Sequence, residues 1–300
     1  MLAKYPECMK NIGFRAHDFG SFASAEQLGK AVAAIKTPAC IQLAVGKVLK
    51  PSRPWQDWDE EYISSITDTL SSFGITVAVT GCYINPVHPD EEERKKNIRR
   101  FERSLELNKA FGCRIVGTET GSFTPDISYS TETYTDKVFS IFLSSLEQML
   151  DAAVRNDAVC AIEAVSHHHT ICSVERMAKV LELFPDEHLK VIYDPVNLVP
   201  VNGIRELDGS YPARPSAQAQ RNFYTAALDA FQDRICALHC KDYVLTEKGF
   251  KKGDLPALTG VFDWENFFKE LDRRSISVPI LLENHNPATL RQTLASLNKF

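Results

Sequence analysis

Four ionisable side chains of this chain each follow a short apolar run, and together they have the composition of a metal site. Glu163 follows AVCAI, Asp194 follows VIY, His239 follows ICAL and Glu283 follows PILL. Carboxylates packed beside one another repel and raise one another's pKa unless a cation lies among them. Two glutamates, one aspartate and one histidine make an oxygen-rich site with one nitrogen ligand, which suits Mn²⁺, Mg²⁺, Co²⁺, Fe²⁺ or Zn²⁺. We therefore expect one divalent metal ion if the fold brings the four together.

The apolar runs belong to a regular alternation of strand-like and helix-like segments. Helical periodicity appears in residues 138–153, 174–184 and 264–271, where apolar side chains recur at i, i+3, i+4 and i+7. Eight other segments are short and apolar without strict alternation, which is typical of strands covered on both faces. These strands are predicted over residues 11–17, 40–45, 75–81, 114–119, 158–165, 190–194, 235–240 and 278–284.

Eight strands that alternate with helices in a chain of 300 residues predict an α/β fold, a (β/α)8 TIM barrel. A doubly wound open sheet is the alternative, but it normally carries a glycine fingerprint, and neither GxGxxG nor GxxxxGK[ST] occurs here. No linker composition or charge shift divides the chain, so we predict a single domain over residues 1–300. Helix boundaries are marked by the candidate N-caps Ser24, Asp90, Ser173 and Asp263 and by the candidate helix-end glycines Gly74 and Gly112.

The active face of such a barrel lies at the C-terminal ends of its strands. Glu163, Asp194, His239 and Glu283 end the last four predicted strands, so we expect them to converge near the barrel axis. A single acidic residue at a strand end usually reaches solvent. Four such groups on consecutive strands make a bound metal the economical explanation.

Composition limits the partners of the chain. With 44% hydrophobic and 24% charged residues, it reads as an ordinary globular protein. The net charge of −5 and the lack of a basic block argue against nucleic acid, and no apolar run approaches the roughly 20 residues that span a bilayer. Its eight cysteines include no CxxC pair, and several lie in apolar runs, which favours reduced thiols and, without a visible secretory signal, a cytoplasmic location. We expect small-molecule partners and leave homo-oligomerisation open.

The segments around these residues resemble the xylose isomerase-like superfamily of sugar and sugar phosphate isomerases and epimerases. The resemblance spans nearly the whole barrel and rests on IEAVSHHHT, YDPVNL, HCKDY and LLENH, with GTETG after strand four. In ketose 3-epimerases and hydroxypyruvate isomerases of that superfamily, the four corresponding positions bind one divalent metal ion. The resemblance thus implies that Glu163, Asp194, His239 and Glu283 are metal ligands. It also implies that the two glutamates form the catalytic acid/base pair.

Three positions depart from the pattern of the ketose 3-epimerases. This chain has Asn197 in place of a histidine, His169 in place of a second glutamate and Leu245 in place of an arginine. The metal-binding set is therefore kept while the substrate-binding set is changed. We do not transfer a named sugar from the resemblance.

Seven residues at the expected active face are candidate substrate contacts, each with a structural alternative. Adjacent histidines point apart, so we expect one of His168 and His169 to contact the substrate rather than the whole triplet to bind metal. Glu119 could instead organise a loop, and Lys241 could bind a substrate oxyanion or pair with Asp194 or Asp242. The full set is Glu119, His168, His169, Asn197, Lys241, His17 and His88.

The function that these features favour is isomerisation or epimerisation of a sugar or sugar phosphate. One glutamate removes a proton beside a carbonyl group to give an enediolate, and the other returns a proton. Dehydration of an inosose-like keto-polyol, with His169 as the acid, stays open, as does a sugar-binding barrel without catalysis. A DNA-repair role of the endonuclease IV type is disfavoured, since Asn197 replaces a required histidine and no DxH pair lies between strands seven and eight.

The segment 195–216 after strand six is about twenty residues long and holds four prolines and two glycines. Connections of this length are usually functional, so we expect its first residues to border the substrate. Tyr211 and Arg214 offer an aromatic face and a cation that could close over a sugar. The alternatives are a subunit contact and an exposed insertion.

Overall fold

The computed structural model describes residues 11–297, in which eight parallel strands close into a barrel. A ninth strand pairs with one of them outside the barrel. The strands are β1 Ile12–Arg15, β2 Ala39–Leu43, β3 Ile75–Gly81, β4 Ile115–Glu119, β5 Val159–Glu163, β6 Leu189–Tyr193, β7 Ile235–Leu245, β8 Lys251–Pro256 and β9 Ile280–Leu282. Neighbours from β1 to β7 pair in chain order, and β9 pairs with both β7 and β1, which closes the barrel.

Helices alternate with the strands, and the longer ones cover the outside of the barrel. They are α1 Ala25–Ala33, α2 Val45–Val48, α3 Glu60–Ser72, α4 Glu91–Glu106, α5 Asn108–Phe111, α6 Asp136–Arg155, α7 Val174–Leu183, α8 Pro195–Leu198, α9 Ala217–Phe231, α10 Trp264–Arg273 and α11 Pro287–Leu297. The predicted TIM barrel is therefore confirmed. Its single-domain extent over residues 1–300 stays a prediction.

Local sequence signals locate the helix ends as predicted. The side chains of the four candidate N-caps, Ser24, Asp90, Ser173 and Asp263, each accept a backbone N–H from the first helical turn. Gly74 and Gly112 follow α3 and α5 with φ of 71° and 62°, a left-handed conformation that favours glycine. The strongly charged α4 carries i,i+3 and i,i+4 ion pairs on its exposed side, such as Lys95 with Glu91 at 2.9 Å. Ion pairs at this spacing are typical of a helix with one side exposed to solvent.

Strand seven is longer than predicted. The apolar run ends at Cys240, but β7 continues to Leu245 and returns as β8, which pairs antiparallel with it outside the barrel. The sequence of β8, KKGDLP, has no strand-like pattern, so its extended conformation comes from pairing with β7. This hairpin carries Lys251 back over the ends of β5 and β6.

The loop after α8 has no helix or strand of its own before α9 begins at Ala217. Tyr211 and Leu207 are exposed there. Its predicted role at the substrate stays a prediction.

The cysteines of the described residues are free thiols, and Cys8 lies outside those residues. No helix within residues 11–297 is long and apolar enough to cross a membrane. The cytoplasmic location stays a prediction.

Gly13 is a point of close approach between β1 and β2. A Cβ atom at this position would lie 2.3 Å from the carbonyl oxygen of Cys40 and 2.4 Å from its Sγ. We expect Gly13→Ala to lower the free energy of unfolding by about 1–3 kcal/mol because one of the two strands must shift. Gly46→Ala in α2 is the matched control, since its Cβ would meet nothing closer than 3.9 Å. Urea unfolding of both variants tests this, and equal stability of the two would contradict it.

Candidate functional site at the barrel mouth

The same two-residue periodicity of the strands places both the apolar side chains inside the barrel and the polar side chains of the candidate site. Alternate side chains of a strand point to the same face. Glu163, Asp194, His239 and Glu283 each lie two positions after a residue of a small buried cluster inside the barrel, formed by Val79, Ala161, Ile192, Ala237 and Leu281. The four polar side chains therefore lie in the next layer toward the C-terminal ends of the strands. None of them exposes more than 3% of its surface.

His239 lies at the centre of this layer. Its Nδ1 is 3.0 Å from Glu163 Oε2 and 3.2 Å from Glu283 Oε1. On the other side of the ring, Nε2 lies 2.8 Å from Gln42 Oε1. The Gln42 amide donates in turn to the Tyr83 hydroxyl at 3.1 Å. The glutamine oxygen can only accept, so it holds a proton on Nε2 and directs Nδ1 toward the two carboxylates.

Asp194 uses its two oxygens differently. Oδ1 accepts the backbone N–H groups of Val196 and Asn197 at 2.8 and 3.0 Å, which makes Asp194 the N-cap of α8. Oδ2 faces the site and lies 2.8 Å from Lys241 Nζ. Because the cap fixes the side chain, the position of Oδ2 is set by local structure.

Asn197 joins this turn to Glu163. Its Nδ2 donates to Glu163 Oε1 at 2.6 Å. Lys251 holds the turn from outside by donating to the carbonyls of Val196, Asn197 and Val199 and to Ser166 Oγ, at 2.6–3.3 Å. Lys251, which lies in the hairpin that the sequence did not predict, therefore supports the turn that carries Asn197.

Charges in the layer compensate one another. Burial acts to lower the pKa of His239, but the carboxylates of Glu163 and Glu283 raise it to about 9. Burial acts to raise the pKa of Glu283, but His239, Lys241 and Arg15 hold it well below its usual range. Arg15 Nη1 lies 3.1 Å from Glu283 Oε1. The cluster is thus a set of closely paired buried ions.

The residues present fit a divalent metal ion. Among residues 11–297, ligand atoms of Glu163, Asp194 and His239 lie within 4.8 Å of one another. Asp194 Oδ2 and His239 Nδ1 are buried without a well-aligned hydrogen bond, and their close neighbours are charged groups of the site itself: Lys241 Nζ for Oδ2, and the carboxylates of Glu163 and Glu283 for Nδ1. Carboxylate and imidazole donors of this kind suit a divalent cation.

Glu119 and His169 lie together at one side of the layer. The Glu119 carboxylate is 3.6 Å from His169 Nε2, and burial raises the pKa of Glu119. His169 Nδ1 accepts the Gly121 N–H at 3.0 Å, and burial lowers the pKa of this histidine to about 4. The His169 ring is therefore neutral near pH 7, with its proton on Nε2.

The other predicted substrate contacts differ in how close they lie to the metal-ligand cluster. His17 packs edge-on against Tyr83, with ring centroids 5.8 Å apart, and burial lowers its pKa to about 3. His168 is exposed, and its ring contacts His167. His88 Nδ1 accepts the N–H of Asp90 at the start of α4. The structure thus brings Lys241 and Asn197 into direct contact with the ligand cluster, and shows no such contact for His168 or His88.

Sequence reasoning missed two residues of this layer, Gln42 and Arg15. Gln42 is the one polar residue in the apolar run CIQLAV, and Arg15 follows the apolar start of the first strand. A polar side chain inside a buried strand needs a partner, and that signal could have identified both. Their partners, His239 and Glu283, lie on strands near the other end of the chain.

A family model described as a xylose isomerase-like TIM barrel matches residues 39–300. Among solved structures, 3-keto-D-glucoside 4-epimerase from E. coli is 16% identical, with a TM-score of 0.67, over 97% of this chain and 99% of that one. A xylose isomerase-like TIM-barrel protein from Mycobacterium smegmatis in complex with magnesium is 15% identical, with a TM-score of 0.65, over 96% and 92% of the two chains.

A probable 3-DHS dehydratase from Bacillus anthracis is 11% identical, with a TM-score of 0.68, over 96% of this chain and 98% of that one. No curated protein sequence matches the chain significantly. At these identities the similarity to solved structures shows the fold alone.

Proposed function

Because the chain belongs to the xylose isomerase-like TIM-barrel family, we propose that it is a divalent-metal-dependent isomerase or epimerase of a sugar or sugar phosphate. The observation that carries this proposal is the pair of buried glutamates, Glu163 and Glu283, on either side of His239 Nδ1. Two carboxylates that converge on one point from different strands can each exchange a proton with the same substrate.

The metal ligands in this proposal are Glu163, Asp194, His239 and Glu283. When bound, a divalent cation would polarise a carbonyl group and a neighbouring hydroxyl of the sugar and offset the negative charge that develops on their oxygens. Similarity to a protein solved in complex with magnesium supports a metal of this class. Gln42 contributes by orienting His239, since a histidine whose other nitrogen is hydrogen-bonded presents a fixed ligand atom.

The protein's own groups then move the protons. One glutamate takes the proton from the carbon beside the carbonyl, and the other supplies a proton to the intermediate. Asn197 holds Glu163 by Oε1, and Arg15 holds Glu283 by Oε1, so little must move during the transfer. Return of a proton to the opposite face of the same carbon inverts that carbon and gives an epimer. Return of a proton to the neighbouring carbon gives an isomer.

Dehydration of an inosose-like keto-polyol is the second candidate function. The similarity to a probable dehydratase supports it as an alternative. It requires an acid to release a hydroxyl group as water. His169 is poorly suited to that task because its ring is neutral near pH 7 and its pKa is lowered to about 4. We therefore place isomerisation or epimerisation first and treat His169 as a hydrogen-bond donor to the substrate.

Ketoses, their phosphates and inososes, assayed with Mn²⁺, Mg²⁺ and Co²⁺ in D₂O, test this function. We expect one ketose or ketose phosphate to give an epimer or isomer that carries deuterium at the reacting carbon, as followed by NMR and product chirality. Release of an unsaturated product that absorbs in the ultraviolet would favour dehydration. Sugar binding without turnover under every metal would support the sugar-binding barrel and contradict the enzyme.

A further inference from the structure

Lys241 lies inside the candidate metal centre rather than beside it. Its Nζ is 2.8 Å from Asp194 Oδ2 and 3.0 Å from Glu283 Oε2, and only 7% of the residue is exposed. The ammonium group therefore occupies the space between two of the four proposed ligands. Both oxygens that it contacts face the site.

Glu283 is bound by Lys241 through one oxygen and by Arg15 through the other. Within the described residues, Glu163, Asp194 and His239 bring ligand atoms within 4.8 Å of one another, and Glu283 stands outside this group. Glu283 Oε2 is the oxygen bound to Lys241, while its Oε1 contacts Arg15 and His239. Both oxygens of Glu283 are thus held by cations, and a metal ion that binds Oε2 would meet the ammonium group of Lys241 there.

The charge balance gives the same result. Three buried carboxylates, Glu163, Asp194 and Glu283, face Lys241, Arg15 and the imidazole of His239. A divalent cation that binds here would have to coordinate Asp194 Oδ2 and Glu283 Oε2, the two oxygens that the Lys241 ammonium contacts. Two cations cannot share Asp194 Oδ2 without strong repulsion at this separation.

On the basis of the proposed metal centre, we propose that Lys241 is an internal counter-ion that competes with the divalent metal for Asp194 and Glu283 and so sets the metal affinity. A bound metal ion would displace the ammonium group from Asp194, and the freed ammonium could then bind a negatively charged oxygen of the substrate. In this role Lys241 holds the metal-free site together and then becomes a substrate contact.

The surroundings of Lys241 allow its ammonium to move while its backbone stays in place. Trp264 Nε1 donates to the Lys241 carbonyl at 3.1 Å, and β7 pairs with β8 at Lys241 and with β9 nearby. The side chain itself is a flexible four-carbon stem with a rotatable head group. A change of the Lys241 rotamer is therefore enough for its ammonium group to leave Asp194 and bind another anionic group.

The test compares Mn²⁺ binding to the metal-free protein in three variants by isothermal titration calorimetry. Lys241→Met removes the charge and keeps the stem, so we expect its Mn²⁺ dissociation constant to fall by about tenfold or more, since a repulsive charge beside the ligands is gone. Lys241→Arg keeps the charge and should gain no affinity. Lys36→Met is the matched control, because Lys36 is partly buried at the opposite end of β1, where Nζ donates to the Ile12 carbonyl at 2.6 Å.

If Lys241→Met does not fold without metal, it is prepared with Mn²⁺ and the release of Mn²⁺ to excess EDTA is measured. We then expect slower release than from the wild type. Unchanged or weaker Mn²⁺ binding, or equal or faster release, by Lys241→Met overturns the role of Lys241 while the metal centre stands. If the wild type and Lys241→Met both fail to take up Mn²⁺, the proposed metal centre is overturned, and the role of Lys241 with it.

Discussion

Glu163→Gln and Glu283→Gln should each lower turnover by about 10²–10⁴-fold, the range expected for loss of a proton-transfer group. The amide keeps the shape of the side chain but cannot take or supply the proton. Each substitution also removes one negative charge from the proposed metal ligands and should weaken metal binding, so the metal concentration must saturate each variant. Steady-state kinetics with the best substrate, at saturating metal, measures the effect.

Two controls separate chemistry from stability. Glu26→Gln changes an exposed glutamate that pairs with Lys30 on α1, and it should leave turnover unchanged. Thermal unfolding monitored by circular dichroism should show that both site variants stay folded. If either site variant keeps more than about a tenth of the wild-type rate, that glutamate is not an essential acid or base.

Asp194→Asn should abolish stoichiometric metal uptake. The asparagine oxygen can still accept from the N–H groups of Val196 and Asn197 and so cap α8, but an amide nitrogen replaces Oδ2, the oxygen that faces the site. Loss of an outer-shell partner costs roughly 10–100-fold in metal affinity, and we expect loss of a ligand to cost at least that much. Elemental analysis before and after chelation and reloading measures the metal content.

Asp194→Ala should lose both the metal and the cap. Ser173→Ala is its control, since Ser173 caps α7 through its own side chain and has no part in the site. We expect that variant to lose some stability, about 1 kcal/mol, and to keep one metal ion per chain. Full metal uptake by Asp194→Asn or Asp194→Ala would show that Asp194 is not a ligand.

Much of the fold, and the layer of the barrel in which the candidate ligands lie, could be predicted from the order of residue types. In a strand, side chains two residues apart point to the same face. A polar residue two positions after an apolar residue of the barrel interior is therefore predicted to point inward as well. Glu163 after Ala161 and His239 after Ala237 follow this rule. Helix ends were predictable for a similar reason, because an N-cap such as Ser24 bonds to a backbone group only three residues away.

The sequence by itself therefore determined the barrel, the layer in which the candidate ligands lie and the local caps, because each depends on interactions over a few residues or on periodicity. Only the tertiary structure decided the partners within that layer. Gln42 meets His239 across 197 positions of the chain, and Lys241 meets Glu283 across 42. The sequence allowed Lys241 to pair with Asp194 or Asp242, and barrel closure selected Asp194 and added Glu283. Such contacts are set by which strands become neighbours around a closed barrel, a property of the whole chain that no local pattern encodes.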